Sequence, residues 1–131
     1  MQQDQITGYS EKLQIEKRYV TVTTKETLLE MVEAIEEASR ISLDTETTSL
    51  NPRKGKIIGF SITTKIGTGF YLPTLKWNNY TQKLEELLIE GKSTHNIAVR
   101  VMKMLKGKKL ICHNASFDLR YIKNYYGVSL I

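Results

Sequence analysis

A lone cysteine, Cys112, leaves the chain no internal disulfide and fits a reducing compartment. No run approaches the ~20 apolar residues that a membrane span needs. The polar N-terminus has no apolar stretch of the kind found in a signal peptide, so a soluble, cytoplasmic protein without a membrane partner is expected. Two prolines and eight glycines leave no low-complexity tract, repeat or internal linker. Aspartate is scarce too. It occurs only at positions 4, 44 and 118, while glutamate supplies the general negative surface.

What remains is an ordinary globular composition in 131 residues, enough for one domain with a sizeable core. The net charge is +5, unevenly spread. Lys92, Arg100, Lys103, Lys106, Lys108, Lys109, Arg120 and Lys123 make the last third basic, against Asp118 alone. A solvated lysine-rich surface or a polyanionic partner would each account for it.

Residues 1–18 show neither helical nor strand periodicity and read as a mobile lead-in. Residues 19–23 have strand composition. Thr23-x-x-Glu26 reads as a capping box, after which Leu28, Met31, Val32, Ile35 and Ala38 recur at helical spacing. Residues 56–62 and 69–72 form a hairpin around a turn at Lys65-Ile66-Gly67. Leu84, Leu87 and Leu88 suggest a helix over 80–90, closed by Gly91, and a second runs from about His95 to Gly107. Leu110-Ile111-Cys112 is a short strand, Asn114 caps a helix running to Tyr126, and residues 128–131 resemble the start of another strand. The order implies one α/β domain, with a mixed sheet and helices on both faces.

Two stretches stand out. Residues 41–46 read as a strand in which Ile41, Leu43 and Thr45 point one way, and Ser42, Asp44 and Glu46 the other. Asp44 and Glu46 thus share a face, roughly 6.5–7 Å apart at the backbone, and repel each other unless a cation intervenes. An Asp-x-Glu met by chance in a surface loop is the plainer alternative. In the second stretch, 113–118, Asp118 lies in the first turn of a helix, on the side of Ala115, Ile122 and Tyr125 expected to face the sheet. It opens beyond the carboxyl end of a strand, where α/β sheets gather ligands. The alternative is a helix-dipole aspartate with Asn114 as a plain cap. A zinc site lacks ligands at suitable spacing, and no base is placed to activate Cys112.

D-T-E-T-T-S-L-N-P at 44–52 and H-N-A-S-F-D at 113–118 resemble motifs I and II of the DEDD 3′–5′ exonuclease superfamily. The wording is closest to the proofreading domain of family A, polymerase I-like DNA polymerases, over residues 19–131. The resemblance implies an RNase H-like fold: a three-strand antiparallel meander plus parallel strands, flanked by helices. It implies that Asp44 and Glu46 ligate one divalent ion, Mg²⁺ or Mn²⁺, with Asp44 bridging to a second ion that Asp118 holds through water. Hydrolysis of the 3′-terminal phosphodiester of DNA would follow. Thr47 is implied to meet the 3′-hydroxyl, Leu50 to wedge beside the last base, and Asn114 to brace the scissile end. The implied partners are a single-stranded DNA 3′ end and a polymerase domain, C-terminal in the same protein or on a separate chain.

The family's third motif, Y-x-x-x-D or H-x-x-x-x-D, is absent from residues 119–131. The chain is therefore expected to be an N-terminal, C-terminally incomplete part of such a domain, with little activity alone. An RNase D-like RNA exonuclease and a non-catalytic nucleic-acid-binding module on the same fold are the competing readings.

Overall fold

The computed structural model describes residues 17–130. Most of the expected 1–18 lead-in, and Ile131, lie outside them, but Arg18 already belongs to the first strand. Strand β1 (Arg18–Thr21) is tied to helix α1 (Lys25–Glu37) by the Arg18 guanidinium, which pairs with Glu30. Helix α1 starts one residue later than the sequence suggests. Thr24, not Thr23, is the N-cap, and Thr27 closes the capping box by accepting from the Thr24 amide at 3.1 Å.

Strand β2 (Arg40–Thr47) pairs antiparallel with β3 (Ile57–Thr63), which pairs antiparallel with β4 (Thr68–Pro73). This is the expected meander. β1 adds parallel to β4, and β9 (Lys109–Cys112) adds parallel to β2, giving the order β1-β4-β3-β2-β9. Helix α2 (Thr94–Met104) precedes β9, and α3 (Ala115–Tyr126) follows it. Gly127 ends α3 with φ +75°, a left-handed conformation that glycine adopts without a side-chain clash. Residues 128–130 are not strand. No helix among the described residues is long and apolar enough to cross a membrane.

The core lies on one face of the sheet. Ile41, Leu43, Phe60, Ile62, Phe70 and Leu72 are buried in a single cluster with Met31 and Ile35 of α1, Val101 and Met102 of α2, and Tyr121 and Ile122 of α3. Each such side chain contributes about 1.5–3 kcal/mol by leaving water. The opposite pleat positions, Ser42, Asp44, Glu46, Ser61, Thr63 and Tyr71, are exposed or half-buried. Among the described residues, then, helices cover one face rather than the expected two.

The helix expected over 80–90 is a β-ribbon instead. Strand β5 (Leu75–Asn78) pairs with β6 (Lys83–Glu86), followed by the short hairpin β7 (Leu88–Ile89) and β8 (Lys92–Ser93). Leu84, Leu87 and Leu88 have helical spacing by coincidence. The Asn78 side chain accepts from the amides of Tyr80 and Thr81, forming a turn, and Gln82 and Glu90 take positive φ values of 58° and 49°. Trp77 and Leu84, opposite each other, supply the cross-strand contact that favours a ribbon.

The ribbon's second leg is fastened to α2 through Glu86. It accepts from the Ser93 hydroxyl and, at 3.0 Å, from the His95 amide, and these bonds hold its carboxyl below the usual range. A depressed folded pKa gives stability that is present above the unfolded value and lost as pH falls through the folded one. Glu86→Gln is expected to destabilise near neutral pH, with the difference vanishing as pH drops below about 4.5. Urea melts of both proteins across that range measure it.

Candidate active site

Because β9 runs parallel to β2, both strands end at the same edge, where α3 begins. The predicted acids lie at that edge but on opposite sides of the sheet. Asp44 and Glu46 alternate onto the open face and are exposed. Asp118 is buried, 2% exposed, on the helical side. Its Oδ1 accepts from the Thr45 hydroxyl at 2.5 Å and from the Thr45 amide at 3.3 Å, while Oδ2 has no partner among the described residues. Ala115, expected to face the sheet with it, is exposed; Tyr121, Ile122 and Tyr126 are the buried positions of this helix. A buried carboxylate oxygen without a donor is costly unless a ligand or water reaches it.

Glu46 has a fixed neighbour. Gly59 lies opposite it in β3, and Tyr71 crosses that glycine so closely that a Cβ there would come within 2.2 Å of the phenol oxygen. The Tyr71 hydroxyl donates to Glu46 Oε2 at 2.9 Å. Burial, and then the hydrogen bond to the Glu46 carboxylate and its charge, push the Tyr71 phenol up to about 12. The Cys112 thiol is also raised, first by burial and then by the charges of Asp118 and Asp44.

The loop after β2 is built by side-chain caps. Ser49 Oγ accepts from the Asn51 amide at 3.0 Å, and Asn51 Oδ1 accepts from the Arg53 amide at 3.0 Å. Tyr121, one turn beyond Asp118, donates its hydroxyl to Ser49 O at 2.5 Å. The phenol lies against Gly55, where an added Cβ would stand 1.7 Å from its oxygen. Thr47 is half-buried and donates to Ser49 O, while Leu50 projects from the loop at 88% exposure. Asn114 caps α3, its Oδ1 accepting from the Phe117 amide.

His113 is exposed and lines a shallow depression of about 320 Å³ with Ser42, Asp44, Ser61 and Cys112. His95 packs on Tyr125 and Tyr126 instead, with ring centroids 5.3 and 5.1 Å away. Thr45, Tyr71 and Tyr121 were not singled out by sequence reasoning. The available signals were a threonine ending an otherwise apolar pleat and a glycine inside β3.

An all-oxygen donor set of three carboxylates suits a hard divalent cation. The orphaned Asp118 oxygen fits such a ligand. Yet no group of three or more His, Cys, Asp or Glu side chains among the described residues is gathered closely enough to hold a metal ion by itself. The donors are right in kind and the set is open.

A mixed sheet with a central antiparallel meander, a parallel strand beside it and acids at the shared strand ends defines an RNase H-like nuclease fold. Comparison with known proteins gives the family. A family model described as a 3′–5′ exonuclease matches residues 19–130, and the chain belongs to that family, the exonuclease domains of family A DNA polymerases. DNA polymerase I of Borreliella burgdorferi is 33% identical over 110 residues, covering 82% of this chain but 11% of that protein. The chain thus spans about a tenth of that relative. Trypanosoma brucei RNase D in complex with RNA U12 superimposes with a TM-score of 0.63 at 18% identity, over 92% of this chain and 38% of the other. Brucella melitensis NrnC with bound Mg²⁺ gives 0.50 at 17% identity, over 89% and 48%.

Proposed function

We propose that the chain supplies three of the four carboxylates of a two-metal site that removes nucleotides from the 3′ end of DNA, as proofreading for a polymerase. The observation that carries this reading is the pair Asp44 and Glu46 on the open face of β2, at the same sheet edge as a buried Asp118 whose Oδ2 has no partner among the described residues. The relationship to a DNA polymerase I supports DNA as substrate, and the Mg²⁺ of the NrnC neighbour supports the choice of ion. Asp44, Glu46 and Asp118 would hold Mg²⁺ or Mn²⁺, which when bound supplies water activation and charge stabilisation at the leaving oxygen.

The chain's own residues bind and orient. Thr45 fixes Asp118 by two hydrogen bonds, and Tyr71 fixes Glu46. Thr47 meets the terminal 3′-hydroxyl, the exposed Leu50 wedges beside the last base, and Asn114 braces the scissile end. The open donor set needs a further carboxylate from another segment or chain, and the 131 residues alone have little activity. The chain works in the cytoplasm beside a polymerase domain, in the same protein or on a separate chain.

Tyr71→Phe removes the Glu46 donor without changing shape. It is expected to weaken metal binding on the order of tenfold, the usual cost of losing such a support. Manganese titration of the two proteins, with circular dichroism to confirm the fold, checks it.

The RNA reading has one observation behind it, the fit to an RNase D bound to RNA. Digestion of matched single-stranded DNA and RNA by the chain completed with its fourth carboxylate tests the proposal. Preferential loss of 3′ nucleotides from DNA is expected. Preference for RNA would move the assignment to RNA trimming, and metal-independent binding without digestion would make the chain a binding module.

A further inference from the structure

We propose that the ribbon formed by β5 and β6 is a stacking arm for the single strand leading into the site, with Trp77 and Tyr80 receiving bases. The inference rests on the exonuclease reading and extends it to nucleotides upstream of the terminal one. Trp77 is 51% exposed and Tyr80 98% exposed, an unusual display of large aromatic surface on a ribbon of four-residue strands. A two-stranded hairpin is marginal on its own, and this one is anchored firmly.

The anchor lies beside the site. Buried Thr74 gives its amide to Ile58 O at 2.9 Å and its hydroxyl to Ile57 O at 3.1 Å. The ribbon's second leg returns to the same point, the Leu87 amide donating to Thr74 O at 2.9 Å. Thr94, also buried, locks both legs by donating its hydroxyl to Thr74 O and Leu87 O at 3.1 and 2.6 Å. Ile57 is in turn the register partner of Thr47. Strand β4 runs parallel to β2, so Pro73, Gly59 and Glu46 stand abreast across three strands, and the arm leaves from the sheet end that carries the acids. At about 3.3 Å per residue, Trp77 lies about 10 Å along the arm from Thr74, and Tyr80 sits in the turn beyond Asn78 at its tip, a reach of a few nucleotides.

Lys76 and Lys83 are matched by Glu85 and Glu86, with Lys76 opposite Glu85, so the arm's charges cancel and its exposed aromatic surface is what suits bases. Exposed aromatic rings accept bases of any sequence, as a nuclease acting on arbitrary ends requires. A protein docking on the same aromatics would be a different function, and the experiment separates the two.

Trp77 is the chain's only tryptophan, so its emission reports the arm alone. The 131-residue chain is titrated at low salt, with chelator present, with an oligothymidylate of about ten nucleotides, within the usual site size. Binding is followed in parallel by anisotropy of a labelled copy. Expected are quenching of Trp77 that tracks the anisotropy, no quenching by thymidine monophosphate, and about fivefold to a hundredfold weaker binding for Tyr80→Ala and for Trp77→Ala. Trp77→Phe should retain most of the affinity. Oligonucleotide binding with unchanged Trp77 emission and unaltered affinity in Tyr80→Ala overturns the arm and leaves the exonuclease reading standing. Absence of any oligonucleotide binding also overturns the arm, whereas the exonuclease reading is decided separately by digestion with the completed site.

Discussion

Asp44→Ala is expected to cut metal-dependent release of 3′ nucleotides on the order of a thousandfold in a protein where a fourth carboxylate completes the site. Under the proposed function Asp44 would hold the catalytic cations, so its loss would forfeit several kcal/mol of charge stabilisation, and about 4 kcal/mol corresponds to that factor. The fold should not suffer. Asp44 is exposed at the end of β2 and contributes nothing to the buried cluster, so its removal is expected to change stability by no more than about 0.5 kcal/mol. Ser42, two residues earlier on the same face, is the matched control, and Ser42→Ala should leave the rate unchanged. A thermal melt and a single-turnover digestion of each variant make the comparison. Retention of wild-type rates in Asp44→Ala would remove Asp44 from the site.

Gly55→Ala is the second large effect, acting through the loop rather than the acids. The new Cβ would stand 1.7 Å from Tyr121 Oη and 3.0 Å from Ser49 Cβ, so the phenol or the loop must move. Tyr121 is fully buried one turn beyond Asp118, and its hydroxyl holds Ser49 O. Overpacking of this kind costs about 3 kcal/mol at the upper end of its usual range. The damage should also reach function, since Leu50 is carried on the same loop. Tyr121→Phe removes the colliding oxygen, so the double variant should recover part of the loss. A double-mutant cycle by denaturant melts reads that coupling. Strictly additive losses would show that the contact between Gly55 and Tyr121 does not govern the loop.

The legible parts of this fold are those written locally. The alternation at 41–46, the hairpin around residues 65–67, the Asn114 cap and the glycine after α3 all depend on neighbours a few residues apart, and all four match the structure. Thr45 bonding Asp118 and Tyr121 bonding Ser49 span 73 and 72 residues, and no local pattern announces them. The ribbon at 75–86 was misread because three leucines matched a helical period. The turn at Asn78 and the left-handed Gln82 are decided by backbone conformation, which apolar spacing does not report. That misreading also hid the exposed Tyr80. Both faces of the sheet were expected to be covered because helices follow strands in the chain order. The three helices pack on one side because each touches its sequence neighbour across the same buried cluster.

Calorimetric titration of the 131-residue chain with Mn²⁺ is the most direct test of the central claim, that Asp44, Glu46 and Asp118 form an open hard-cation site. Weak, saturable binding is predicted, lost in Asp44→Ala, weakened in Asp118→Asn and unchanged in Ser42→Ala. Heats that are the same in the wild type and Asp44→Ala would contradict the account, because the metal would then owe nothing to the acids at the end of β2.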